Sequence, residues 1–173
     1  QGRGRFRGRR GACGGGEPGI GFTGRTTGGD TPSRHYVEHL GNYRRTLRKA
    51  FTLFYGEPER WSFYALLPCY LEREGSSLVW MADDLIKSGG GGFFLTEHEE
   101  LLRRMAAETK PKILLGVSYA LLDLAEEYRP KLENTVVMET GGMKGRRREM
   151  PKEEMHAVLC EAFGVEKIHS EYG

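Results

Sequence analysis

The second half of the chain alternates short apolar runs of strand type with helical segments, and that alternation restricts the fold more than any other feature. Residues 113–117 read as a strand, 119–128 as a helix capped by Ser118, 135–138 as a second strand and 165–169 as a third. Pro151 suits the first turn of a further helix that runs to Phe163 and stops at Gly164. Strands separated by helices of this length join through right-handed parallel crossovers. The expected fold is therefore α/β, a doubly wound, mostly parallel sheet with flanking helices. Such sheets bind ligands beyond the carboxyl ends of their strands. Two strand ends here run into small-residue turns, one at Glu139-Thr140-Gly141-Gly142 and one at Ser170-Glu171-Tyr172-Gly173.

Upstream, Val37, Leu40, Tyr43, Leu47, Phe51 and Phe54 recur at spacings of three and four with arginines opposite, which predicts an amphipathic helix over 36–55. Residues 61–68 read as a buried strand ended by proline. Ser76 or Ser77 caps a helix carrying Leu78, Met81, Leu85 and Ile86, which the glycines at 89–92 end. A short strand is expected at 93–95. Thr96 and Glu99 form a capping-box pattern opening a helix with Leu101, Leu102 and Met105.

Charge divides the chain in two. Residues 1–21 hold five of the 26 lysines and arginines but one of the 24 acids, so the net +2 conceals a slightly acidic remainder. That first segment, rich in glycine and arginine, has too little apolar surface to offset its ordering entropy and is expected to be a disordered tail. Its texture resembles arginine-glycine RNA-binding tails, but with one aromatic and no extended repeat a solvated tail or a cloning or reading-frame artefact is the better reading. Residues 22–173 are read as one α/β domain, large enough to bury a core. No apolar run is long enough to span a membrane and no secretory leader is apparent. Cys13, Cys69 and Cys160 show no paired spacing, so a reducing, cytoplasmic location is expected and no metal-ligand set is read.

Several segments together match one family. Thr26-Thr27-Gly28, followed by Thr31-Pro32-Ser33, is similar to the Ser/Thr/Gly-rich phosphate loop of the adenylate-forming superfamily. LLPCYLEREGSSLVWMADDLI, LLGVSYALLDLAE, METGGMKGRRREM and SEYG follow in that superfamily's order. The chain most resembles LuxE-type acyl-protein synthetases, with phenylacetate–CoA ligases more distant, over 22–173. The resemblance implies a truncated N-terminal domain of a ligase that uses ATP and Mg2+ to convert a fatty or other carboxylic acid into an acyl-adenylate. The acyl group then passes to a thiol on a protein or carrier. It further implies that Glu139, Thr140, Gly141, Gly142 and Met143 line the adenine side and that Tyr172, next to Gly173, stacks on the ring. The Thr-Glu that continues the last motif, and the lysine-bearing lid, would lie past Gly173, so weak nucleotide binding without turnover is expected.

Elementary chemistry gives these residues roles of their own. Thr23, Thr26, Thr27 and Gly28 can bring backbone N–H groups and hydroxyls to a phosphate, or form an ordinary polar turn. The loop departs from the family pattern at Gly24 and Arg25, where serine and glycine are usual. Gly141-Gly142 would let a base lie against bare backbone, and equally makes a tight strand-to-loop turn. Glu139 and Glu149 show no visible partner for acid–base work. Residues 61–67 and 113–122 are apolar enough to wall an acyl tunnel. Lys144, Arg146, Arg147 and Arg148 read as a phosphate-facing cluster or a solvated face. His35 with His39, and Asp83 with Asp84, are weak metal patterns, and Cys160 is read as a core residue with no histidine that would make it a nucleophile. An RNA-binding protein acting through its tail, or an α/β module without catalysis, are the alternatives.

Overall fold

The structure, a computed structural model, describes residues 20–24, 33–68, 75–143 and 145–171. A hairpin comes first: β1 (Ile20–Gly24) pairs antiparallel with β2 (Ser33–Val37), Ile20 opposite Val37. Helix α1 (Leu40–Tyr55) follows. The chain then alternates through β3 (Ser62–Leu66), α2 (Ser77–Gly89), β4 (Gly91–Phe94), α3 (His98–Ala107), β5 (Lys112–Val117), α4 (Ser118–Tyr128), β6 (Thr135–Thr140), α5 (Lys152–Phe163) and β7 (Ile168–Ser170).

Among the described residues, five strands form one parallel sheet in the order β4-β3-β5-β6-β7. The chain steps from β3 out to β4, returns across β3 to β5, and then travels to the other edge. Right-handed crossovers running in opposite directions fall on opposite faces, which makes the sheet doubly wound. Packing bears this out. Ile113 clusters with Phe51 of α1 and Leu85 of α2. Gly116, three residues on and so on the other face, lies against Leu121 of α4, where a Cβ would come within 2.5 Å of that side chain. On β3, Phe63 packs with the α1–α2 cluster, while the next residue, Tyr64, donates its hydroxyl to the Arg104 carbonyl of α3 at 3.3 Å. With both faces covered, β5 is buried along its whole length, hence the continuous apolar run. Among the described residues no helix is long and apolar enough to cross a membrane.

Several local expectations need correction. The helix expected over 36–55 begins at Leu40, because Tyr36 and Val37 belong to β2, where β-branched and aromatic residues pair well. Its inward row is Tyr43, Leu47, Phe51 and Tyr55; Phe54, assigned to the apolar face, is 77% exposed. His35 and His39 are therefore not one helical turn apart: one sits in β2, the other at the N-cap of α1. The Thr96-x-x-Glu99 box does not form, since α3 starts at His98; the Glu97 carboxylate instead accepts from the Leu95 and Thr96 amides at 2.8 and 3.0 Å. Ser118 is not a cap but the first residue of α4, with its hydroxyl turned elsewhere. Strand β6 runs on to Thr140, and β7 starts later than expected, at Ile168. Ser76, by contrast, does cap α2, accepting from the Val79 amide at 3.3 Å.

Candidate functional site

The carboxyl ends of β5, β6 and β7 meet around one carboxylate. Alternation along β6 turns Glu139 toward α5 and Thr140 toward α1. Glu139 is 7% exposed. Its Oε2 accepts from the Ser118 hydroxyl at 2.9 Å, and its Oε1 accepts from the Ser170 hydroxyl at 2.7 Å and lies 3.1 Å from Lys152 Nζ. Burial alone would push this carboxyl up, but the donors Ser170, Lys152 and Ser118 outweigh it and hold it below the usual carboxylate range. His156 Nε2 lies 3.7 Å from Oε1, too far for a hydrogen bond, and among the described residues has no hydrogen-bond partner. An ionised carboxylate saturated by donors is a poor general base, so Glu139 is an anchor: it ties the start of α4, the end of β7 and the first turn of α5 to one point.

That anchor shapes the turn beyond β6. The Gly142 amide donates to Ser118 Oγ at 3.2 Å. Gly141 and Gly142 adopt φ of 77° and 66°, the left-handed region that glycine reaches without strain, and a Cβ on Gly142 would meet nothing within 4 Å. Both glycines are exposed, so the turn presents bare backbone. Met143 is buried in the main core cluster and fixes the turn from below.

On the α1 side of the same strand ends, the Thr140 hydroxyl donates to Glu171 Oε2 at 2.9 Å, and the Glu171 amide donates to the Glu139 carbonyl at 2.9 Å. Burial and the Glu171 carboxylate together push the Tyr43 hydroxyl up. From here an apolar cavity of about 310 Å3 runs back between α1, α2 and the sheet. Phe63, Ala65, Ile113, Leu115 and Met138 form its floor, and Leu47, Phe51, Met81 and Leu85 its walls; Ser170 and Glu171 stand at its polar end. The apolar runs singled out in the sequence, 61–67 and 113–122, thus supply floor residues from their strand portions.

Of the residues expected to bind a ligand, the structure brings Glu139, Thr140, Gly141, Gly142 and Met143 together on β6 and its turn. Thr23 lies in β1, paired through backbone register with Arg34. Thr26, Thr27, Gly28, Lys144, Tyr172 and Gly173 lie outside the described residues. Arg147 does not point to a ligand: it bridges Asp123 and Glu126 of α4. Arg146 stacks over Tyr119, 5.4 Å from the ring centre. Asp84 is no magnesium ligand either, since Arg44 and Arg48 hold its two oxygens at 2.8 and 2.9 Å. Burial pushes the Cys160 thiol up, away from thiolate reactivity. Among the described residues no group of three or more His, Cys, Asp or Glu is placed to hold a metal ion. Ser118, Lys152 and Ser170 were missed as partners of Glu139; an acid ending the apolar run V-V-M was the one signal pointing to a buried anchor.

The cavity roof carries a titratable contact. Tyr55 of α1 and His169 of β7 lie 2.6 Å apart, hydroxyl to Nδ1. With the ring neutral and its proton on Nε2, the hydroxyl donates. Burial, then the nearby Lys167, lower the His169 pKa from 6.5. The unfolded chain therefore binds this proton more tightly, and the contribution is whole above about pH 6.5 and lost as pH falls toward the lower folded value. Urea melts of wild type and H169N at about pH 7 and pH 5 should show the wild type losing more stability on acidification. Equal losses would remove the titration from this contact.

Comparison with protein-family models, with curated proteins and with solved structures finds no match to this chain.

Proposed function

We propose that this chain binds an acyl-adenylate, as part of an ATP-dependent ligase that activates a carboxylic acid and passes the acyl group to a thiol. The observation that carries the reading is a juxtaposition: an apolar cavity ends at the same strand ends where a bare glycine turn is exposed. An acyl chain in the cavity would put its carboxyl carbon beside Thr140 and Glu171, and an adenosine would rest on Gly141-Gly142. The motif resemblance of 22–173 to acyl-protein synthetases adds the reaction class. Glu171 at the mouth would repel a bare carboxylate. Its oxygen and that of Thr140, 2.9 Å apart, are hard donors of the kind Mg2+ takes together with phosphate oxygens. When bound, the metal would neutralise phosphate charge. Ser118 and Glu139 act through the turn and would position it without touching the ligand.

A non-hydrolysable acyl-adenylate analogue, titrated by calorimetry, tests the reading. Binding is expected, weakened roughly tenfold or more by Thr140→Val, which removes the hydroxyl and leaves the shape. No heat with wild-type protein at millimolar analogue sinks it.

A further inference from the structure

Resting on the proposed acyl site, we infer that its substrate is compact, with an apolar part of on the order of ten non-hydrogen atoms, and is not a long-chain fatty acid. Volume and length agree on this. A water-sized group occupies about 30 Å3 in a liquid, so a cavity of about 310 Å3 holds on the order of ten. Along the sheet, the floor runs from the level of Ile113, paired with Phe63 and Val136, to that of Glu171, four residues further. At about 3.3 Å per residue that is roughly 13 Å. The roof gives the same length: α1 passes from Tyr43, near Glu171, to Phe51 in eight residues, roughly 12 Å at 1.5 Å each.

What stops the cavity is packed aromatic and aliphatic surface. Phe51, Phe63, Leu85 and Ile113 are all buried in one cluster at the strand-start end. Phe51 meets Phe63 edge-on at 5.3 Å and stacks on Tyr55 at 5.0 Å. Among the described residues the lining ends at this cluster, so a longer chain would leave past Phe54, which also lines the cavity and is 77% exposed, into water. Atoms beyond the tenth or so therefore gain little from burial. Helix α1 is tied down on both sides: Arg44 and Arg48 reach Asp84 of α2, and Tyr55 reaches His169 of β7.

The test separates this from the acyl-adenylate reading by using neutral probes that need no nucleotide and are not repelled by Glu171. Straight-chain 1-alkanols of about four to about fourteen carbons are titrated by calorimetry against the whole chain. Affinity should rise about fourfold per methylene and level off near ten non-hydrogen atoms. Ala65, 1% exposed on the cavity floor, is replaced by valine and, separately, by phenylalanine. A65V should move the plateau to shorter chains and A65F should abolish it; the milder variant keeps the test alive where the larger one does not fold. Affinity that climbs through the whole series, shows no dependence on length, or is indifferent to A65V overturns the size assignment. Failure of the acyl-adenylate analogue alone overturns the ligase reading and leaves the cavity's size class standing.

Discussion

Replacing Glu139 by alanine should destabilise the protein by about 3 kcal/mol. The carboxylate is ionised, buried and shared by Ser118, Ser170 and Lys152. Alanine takes from the fully buried Ser118 hydroxyl its shorter bond, 2.9 Å to Glu139, and leaves it only the longer one, 3.3 Å to the Thr140 carbonyl. A buried polar group deprived of a partner costs roughly 1–3 kcal/mol, and breaking a buried ion pair from one side roughly 3–5 kcal/mol. The lower part of that range applies because Lys152 is 56% exposed and can return to water. Glu139→Gln should cost less, since the amide oxygen still accepts from a serine. In urea the alanine variant's midpoint should fall by roughly 1–2 M, with the slope unchanged. Acid should reproduce the effect in the wild type: a carboxyl with a lowered folded pKa contributes fully above about 4.5 and loses that contribution as pH falls through its folded value. An alanine variant as stable as wild type, with the same acid limb, would show that Glu139 is not the anchor of these strand ends. A variant that folds but no longer binds the acyl-adenylate analogue would tie the anchor to the turn it supports.

Why this anchor was hard to read in the sequence is instructive. The fold followed from periodicity, which is local: the runs around Ile113 and Val137, the Ser76 cap and the Gly164 stop each announce themselves within a few residues. The Gly141-Gly142 turn was equally readable, because only glycine suits it. Glu139 draws its partners from 21 residues upstream and 31 downstream, with no motif spacing to join them. The start of α1 was misjudged because Tyr36 and Val37 fit a helical row and a strand alike, and only pairing with β1 decides between them. The Thr96–Glu99 pattern failed for a related reason: Glu97 captured the amides first. As for the cavity, composition identified two of its apolar strands. Which face α1 covers is a tertiary fact that no hydrophobic pattern contains.

Gly91→Ala is the second large prediction, and it bears on the cavity from the far edge of the sheet. Gly91 sits opposite Phe63 where β4 pairs with β3, at φ 109°. An added Cβ would lie 1.8 Å from the Phe63 carbonyl oxygen and 2.5 Å from its carbon, both backbone atoms that cannot swing aside. Relief requires β4 to move away from β3 by more than an ångström. That breaks the ladder and the bond from the Phe63 amide to the Gly90 carbonyl, 2.9 Å long. Backbone strain of roughly 1–3 kcal/mol adds to the lost pairing, so a total above about 4 kcal/mol is expected, a large part of an ordinary domain's stability. Gly142→Ala is the control. It shares the positive φ but has open space around the new methyl, so strain alone should cost about 1 kcal/mol. Urea melts of the two variants measure the difference, and near-equal costs would show that β4 does not pair as described. Helix α2 runs directly into β4, and its Met81 and Leu85 form one wall of the cavity. If Gly91→Ala protein can be purified, displaced β4 should carry that wall with it, and the alkanol plateau should shift while Gly142→Ala leaves it in place.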